Sequence, residues 1–441
     1  MKKSNYPSLK LGYYGVGIMT LAQVFAFIDR QIPAMLIEPI KADFGLSDSQ
    51  IALLGGAAFS VFYAVMALPI GYAVDRVNRT FILGSGILVW SFMTALSGLA
   101  NSFLKLFGAR VGVAVGEAVM APTSVSLVSD YFPENKQGKP MGIITSGVYI
   151  GIGITLLGGG FLIDYLTQIG GLTFPILGHL KPWQATFMVV GIPGLIIALA
   201  AFAMFEPTRR LPVTFNNKKE EVKTVFPHIA SHKKTLIPMF GGLIFMALIF
   251  YSFTFWAPTM MLRTYSLSLS EIGVVLGLIT MSSSILGTIG AGAMVDYLRN
   301  KGYIDAPIRV ALFSSIMALP PIALIPLINS LSISWILIAF YLFFISSFAP
   351  LGLLAVSGVS SSRVKGQMAA VYAFLMMAFG LSLGPQLTAF FTDFIFQDPS
   401  KLSFSLSLTA TIVLPISALF FWFSLSRYRE SVTKLNLSNT N

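Results

Sequence analysis

The sequence predicts an all-α polytopic membrane protein, with 12 transmembrane helices in two pseudo-symmetric six-helix bundles. Three observations predict it. First, the 441 residues are 55% hydrophobic and only 11% charged, with a mean hydropathy of +0.78. Soluble proteins carry roughly 25% charged residues, so this chain has too little polar side chain to coat several soluble domains. Second, the apolar residues gather into runs of about 20 or more, the length that crosses a bilayer as a helix. Third, one of those runs recurs in the second half of the chain. Disorder is excluded by an aromatic content of 13%, because disordered chains are poor in aromatics.

Taken in order, the spans are 12–37, 50–71, 80–100, 103–130, 138–164, 183–206, 236–262, 271–296, 308–329, 332–358, 366–395 and 402–426. The connections are short except at 164–182 and over the charged stretch in mid-chain. That stretch divides the chain into an N-terminal bundle (1–206), a cytoplasmic linker (207–235) and a C-terminal bundle (236–441). With the N-terminus placed inside, 22 of the 29 Lys and Arg residues fall on the cytoplasmic side, among them Lys2, Lys3, Arg363 and Lys365. Five fall outside: Lys41, Lys105, Lys181, Arg263 and Lys401. Basic residues accumulate on the cytoplasmic side of membrane proteins, so both termini and the linker are expected there. The expected location is the plasma membrane, the inner membrane in a bacterium. The net charge of +11 follows from the same bias and from contact with anionic headgroups, and no nucleic-acid partner is expected. Lys2, Lys3 and Lys10 precede an apolar run from Gly12 that is too long for a signal peptide and has no small-residue cleavage site.

Several chemistries are absent from the sequence. No cysteine is present, which removes disulfides, thiolate metal sites and cysteine nucleophiles. His179, His228 and His232 fall between spans, so no metal site is expected. A phosphate loop of the G-x-x-x-x-G-K-[ST] type is missing, which argues against ATP-driven transport.

The repeat aligns Leu46–Asp75 with Leu267–Asp296 at a constant offset of 221. Eight of the 30 positions are identical: Leu46, Ser47, Ser49, Ile51, Gly56, Gly71, Val74 and Asp75 match Leu267, Ser268, Ser270, Ile272, Gly277, Gly292, Val295 and Asp296. Ser47 with Gln50, and Ser268 with Glu271, read as capping boxes that start a helix. The second and eighth spans are therefore equivalents running in the same direction. Parallel halves of this kind are expected to place a site between them near the midplane.

With the segment GYAVDRVNR between spans 2 and 3, the chain resembles the major facilitator superfamily of secondary transporters, whose cytoplasmic signature has this spacing of Gly, Asp and two Arg. Asn78 stands where that pattern has Gly, and a left-handed turn is expected there. FIDRQIPAML, IKADFGLSDSQ, ARVGVAVGEAVMAP, WQATFMVVGIPG and FWAP, in that order, are similar to the spinster branch of sphingolipid and lysolipid transporters. Ala389 departs from that pattern, and the loop at 164–182 is longer than it.

Four charged residues sit deep within spans: Asp29, Arg30, Arg110 and Glu117. Each costs about 2.5–3.5 kcal/mol at a span centre on insertion scales, so their default reading is functional. Arg110 and Glu117 are seven residues apart and share a helix face about 10 Å apart. Asp29 and Arg110 are expected at similar depth in the outer half, with Glu117 nearer the midplane. Adjacent Asp29 and Arg30 point about 100° apart. Asp29 and Glu117 are expected to compete for Arg110 and for protons, with Arg30 or Arg110 receiving the polar head of a substrate. The spinster resemblance implies the same roles.

The second half has no deep charge. Tyr149, Trp256, Ser283 and Tyr372 are the expected cavity contacts. Gly71, Asp75, Arg76, Arg79 and Asp296 are expected to form a cytoplasmic gate, with Arg76 and Arg79 pairing across the halves. Gly147 and Gly151 form a G-x-x-x-G close-packing device.

The expected function is proton-coupled secondary transport by alternating access of an amphipathic substrate (lysolipid or sphingoid-like) or an organic anion. The alternative is multidrug or small organic-solute transport within the same superfamily. A membrane enzyme would need a nucleophile or a His–acid pair at working depth, and a channel would not need two pseudo-symmetric halves. The expected partners are membrane lipids and the substrate. The protein is expected to be a monomer with no cofactor beyond the proton as coupling ion.

Overall fold

The structure is a computed structural model and describes residues 6–133, 136–175, 177–209, 227–360 and 364–440. Of the expected linker, residues 210–226 lie outside the described residues, as do Lys2, Lys3 and Arg363. Among the described residues, twelve helices are long and apolar enough to cross a membrane. They are α1 (Leu9–Met35), α2 (Asp48–Val74), α3 (Arg79–Ser97), α4 (Phe103–Tyr131), α5 (Gly138–Gln168) and α6 (Pro182–Phe202), then α7 (Lys233–Tyr265), α8 (Leu269–Asn300), α9 (Ala306–Leu327), α10 (Leu331–Val359), α11 (Gln367–Phe396) and α12 (Pro399–Leu435).

The helix starts are set by local chemistry. Ser47 and Gln50 form a complete capping box at the start of α2. Ser268 and Glu271 do the same at α8, with Glu271 accepting the Ser268 N–H at 2.9 Å and the Ser268 hydroxyl accepting the Glu271 N–H at 3.2 Å. Asn78 corrects an expectation. Its backbone is not left-handed (φ −55°, ψ 122°), and it is instead the N-cap of α3, where its side chain accepts the Phe81 N–H at 2.8 Å. Asn is among the best N-capping residues, so the departure from Gly converts a turn position into a helix cap.

In two spans a proline accompanies a break in the helix. α4 opens at Ala118–Val119 and α10 at Ser346–Ser347. Each opening begins four residues before a proline, Pro122 or Pro350. A proline cannot donate to the carbonyl four residues back, so the helical ladder is interrupted at the same place in both spans. In α4 the last residue before the break is Glu117, and its counterpart in α10 is Ile345. α11 carries π-helical turns over Met376–Leu381 and Phe391–Phe396. The long connection after α5 folds into a short antiparallel hairpin, β1 (Leu172–Phe174) and β2 (Gly178–Leu180), with Thr173 opposite His179. His179 is thus a strand residue, and His228 lies in a helical turn just before α7.

The chain falls into two compact units, Met1–Val213 with Ser266–Gly277, and Thr214–Tyr265 with Leu278–Asn441. The first unit takes in the opening turns of α8, which the sequence reading assigned wholly to the second bundle. Asp164 of α5 accepts the Ser270 N–H at 2.9 Å, and a Cβ on Gly160 or Gly273 would strike the backbone at Leu269 or Leu156. Elsewhere in this unit α5 packs on α1 through Gly147 and Gly151. A Cβ there would lie 2.8 Å from the Thr20 carbonyl oxygen and 2.5 Å from that of Val24, respectively. The second unit is centred on α7 and α12, which pack together where Gly242 faces the Phe421 ring. Its polar interior is a hydroxyl ladder joining Ser252 of α7 to Thr388 of α11 (2.7 Å) and Thr388 to Thr409 of α12 (2.9 Å).

Candidate functional site

The four deep charges of the first unit form one cluster, with a pairing the sequence alone does not give. Arg30 Nε donates to Glu117 Oε2 at 2.5 Å. Arg110 donates from a terminal guanidinium nitrogen to the backbone carbonyl of Asp29 at 3.1 Å. The hydrogen-bonded ion pair is thus Arg30–Glu117, while Arg110 stays within electrostatic reach of both Asp29 and Glu117. Pro33 lies inside α1 and cannot donate to the Asp29 carbonyl four residues back. Arg110 satisfies that orphaned acceptor with one terminal nitrogen.

Burial separates the roles further. Asp29, Arg110 and Glu117 are at most 2% exposed, whereas 15% of the Arg30 side chain is accessible. Asp29 Oδ1, Glu117 Oε1 and Arg110 Nε have no hydrogen-bond partner among the described residues. Buried polar atoms are nearly always paired, so three open atoms in one cluster set it apart from the packed interior. The two acids and two guanidiniums sum to zero formal charge, which lessens the burial penalty.

Arg30 also lies in an aromatic cage. Its guanidinium carbon is 4.7 Å from the Phe27 ring centroid, 4.6 Å from Phe59 and 5.1 Å from Tyr63. Phe27 is one turn earlier on α1, while Phe59 and Tyr63 are one turn apart on α2 and stack at 5.6 Å. Each such contact is worth on the order of 0.5–2 kcal/mol. The cage contacts Arg30 independently of its bond to Glu117. The sequence reading missed it. Phe27, three residues before Arg30, was a visible neighbour, but the approach of α2 was not.

Among the expected cavity contacts, Tyr149 is 36% exposed on α5 and Ser283 is buried on α8. Trp256 and Tyr372 are packed instead. Trp256 is fully buried and donates to the Pro385 carbonyl at 3.0 Å. The Tyr372 hydroxyl donates to the Phe348 carbonyl at 3.2 Å, and its ring occupies the space beside Gly352. Both side chains spend their only strong donor on backbone, so in this structure they hold helices together.

The expected gate also resolves into distinct parts. Arg79 is 1% exposed and is the hub of a network. Its Nε donates to Glu206 at 2.7 Å, and its terminal nitrogens donate to Asp130, to Ser126 (3.1 Å) and to the Pro207 carbonyl (2.7 Å). Glu206 Oε2 also accepts the backbone N–H groups of Arg79 (3.0 Å) and Thr80 (3.1 Å) at the start of α3, where a helix N-terminus favours an anion. All these partners belong to the first unit, which corrects the expectation that Arg79 pairs with the other half. Arg76 lies over the Tyr72 ring at 3.3 Å and donates to the Tyr72 carbonyl at 3.1 Å. Asp75 caps the end of α2, Gly71 has open space around its Cα, and Asp296 is exposed. Among the described residues no group of three His, Cys, Asp or Glu could hold a metal ion.

Twelve spans in a repeated pattern, with a buried charge cluster in one unit, define a polytopic membrane transporter. The sequence model of the Major Facilitator Superfamily matches residues 19–385, and the chain belongs to that family. An MFS-type efflux pump of Mycolicibacterium smegmatis is 25% identical over 427 residues, covering 95% of this chain and 93% of the relative. A hexuronate transporter of Bacillus subtilis is 25% identical over 391 residues, covering 85% and 86%. The crystal structure of a bacterial homologue of the human lysosomal transporter spinster, inward-facing and unoccupied, superposes with a TM-score of 0.79 at 23% identity, covering 97% of this chain and 98% of that one. The shared fold is therefore the major facilitator fold, as the sequence resemblance implied.

Proposed function

We propose that this transporter works by alternating access, couples transport to protons, and carries an organic anion or an anionic amphipath, with Arg30 as the cationic contact and Glu117 as the proton carrier. The observation that carries the reading is the Arg30–Glu117 pair, in which the only partly accessible charge of the cluster is bound to a fully buried acid. A substrate anion and Glu117 then compete for one guanidinium. Arrival of the anion frees the carboxylate to take a proton, and loss of the proton returns Arg30 to Glu117 and expels the anion. The aromatic cage keeps Arg30 in place through both states. Arg110 stabilises α1 and does not meet the substrate. Asp29, with one open carboxylate oxygen, is a second proton acceptor in the same cluster.

An acid-carrying relative, the hexuronate transporter, supports an anionic substrate. The likeness to the spinster homologue is consistent with an amphipathic one, and the efflux pump favours export of a less defined organic solute as the second reading. The orientation that accompanies the proposal has both termini in the cytoplasm, which the distribution of basic residues supports.

Proteoliposomes test it. Transport of a lysolipid, a sphingoid phosphate, a hexuronate and a dye cation is measured with and without an imposed pH gradient. One of the anions is expected to move, and faster with the gradient than without it. Movement of the dye cation alone, indifferent to the gradient, would replace this reading with that of an uncoupled drug exporter.

A further inference from the structure

The second unit contains a cavity of about 210 Å³ at the turn that joins α8 to α9. Its wall is made by Arg299, Tyr303 and Ile304 of the turn, by Gly358 at the end of α10, and by Tyr428 and Val432 of α12. We propose that it binds a phosphate group, in the form of an anionic phospholipid headgroup.

The cavity is built by the backbone. Gly302 adopts φ +89°, a conformation that favours glycine. The N–H groups of Gly302 and Tyr303 close back on the carbonyls of Arg299 and Leu298 at 2.8 and 3.0 Å, which turns Tyr303 and Ile304 over the end of α8. At the floor, Gly358 has no side chain and the Tyr428 hydroxyl lies where its Cβ would be. That hydroxyl donates to the Ala355 carbonyl at 3.1 Å.

Charge then selects the ligand. Asp305, next to the wall in sequence and 1% exposed, accepts from Arg309 Nε at 2.8 Å and lies 3.2 Å from Arg429 Nε. One carboxylate between two guanidiniums leaves a surplus positive charge beside the cavity. Arg299 is exposed and forms no ion pair with another described residue, and Lys301 adds a further cation against the Tyr297 ring. A guanidinium is the side chain best suited to a phosphate, and basic pockets at helix ends hold lipid headgroups. Ile304, Val432 and the two tyrosine rings give the same wall an apolar half. That half suits a glycerol backbone and acyl chains better than a free ion. The sequence orientation puts this end in the cytoplasmic leaflet, where anionic lipids set a negative surface potential. The site is separate from the charge cluster of the first unit, and the inference stands without the proposed substrate.

Native mass spectrometry of the full chain released from detergent tests the site, with phosphatidylglycerol, phosphatidylcholine and inorganic phosphate as separate probes. Phosphatidylglycerol is expected to bind in preference to phosphatidylcholine. Arg299→Gln is expected to weaken it by about tenfold, the loss of one good ionic contact, while Arg299→Lys retains most of the binding. Both variants melt with the wild type when no lipid is added. If inorganic phosphate binds with the same dependence on Arg299 and the lipid does not, the phosphate chemistry holds and its source is the free ion. Equal binding of phosphatidylglycerol to wild type and Arg299→Gln, or of the two lipids to wild type, would overturn the proposal.

Discussion

Arg30 and Glu117 are joined at 2.5 Å, one partly accessible and the other sealed, and their coupling is where the chemistry of the transporter is expected to lie. Glu117→Gln keeps the shape of the site and removes the charge, so transport driven by a pH gradient should fall to the rate seen without one, in wild-type vesicles assayed side by side. Phe59→Ala opens the cage around Arg30 and should raise the substrate KM several-fold, on the order of 1 kcal/mol for one cation–π contact. Pro33 and Arg110 make a separate claim. Arg110→Leu leaves the Asp29 carbonyl unpaired and removes a buried charge, which costs about 3–5 kcal/mol when a buried pair is broken. In a Pro33→Ala background the new N–H satisfies that carbonyl. The same Arg110 change should then cost less, with a coupling of roughly 1–2 kcal/mol in a double-mutant cycle read by unfolding in mixed micelles. All four charges were visible in the sequence, because ionisable residues are rare in apolar runs. Their pairing was not, because it depends on which carbonyl a proline orphans and on how α2 approaches α1. The same limit applies to Trp256 and Tyr372, whose types suit a cavity and whose burial shows packing.

At the scale of elements, close approach decides which helices touch. Gly151 lies against the Val24 carbonyl, whereas a Cβ at Gly158 on the same helix would meet nothing within 4 Å. Gly151→Val should therefore destabilise the α1–α5 contact by about 1–3 kcal/mol, as overpacking does, and Gly158→Ala should be neutral or stabilising. The comparison of their unfolding midpoints checks the claim. The G-x-x-x-G spacing and the two capping boxes were legible because each is a local pattern with one physical meaning. Asn78 shows where a local pattern has two, since the residue suits both a left-handed turn and a helix cap, and the chain uses the cap. The paired breaks at Pro122 and Pro350 were not read from the sequence, since prolines also lie inside unbroken spans such as α1 and α7. The two breaks place Glu117 at the end of a helical segment in α4 and the uncharged Ile345 at the matching point of α10. The hairpin after α5 was not legible, since three-residue strands leave no periodicity to read.

For the whole molecule, twelve spans and the parallel repeat followed from composition, run length and the constant offset of 221, quantities that need no tertiary information. The unit boundary did not, because backbone approach at Gly160 and Gly273 draws the start of α8 into the first unit. The absence of cysteine makes topology directly testable. A membrane-impermeant maleimide should label Lys105→Cys in intact cells and Lys434→Cys only after permeabilisation, and the reverse pattern would invert the proposed orientation. The central claim, that Glu117 carries the proton exchanged against Arg30, is tested most directly by proton flux into dye-loaded proteoliposomes when substrate is added. Wild-type protein should move protons with the substrate, and Glu117→Gln should exchange labelled for unlabelled substrate while moving none. Equal proton flux from the two proteins would contradict the account.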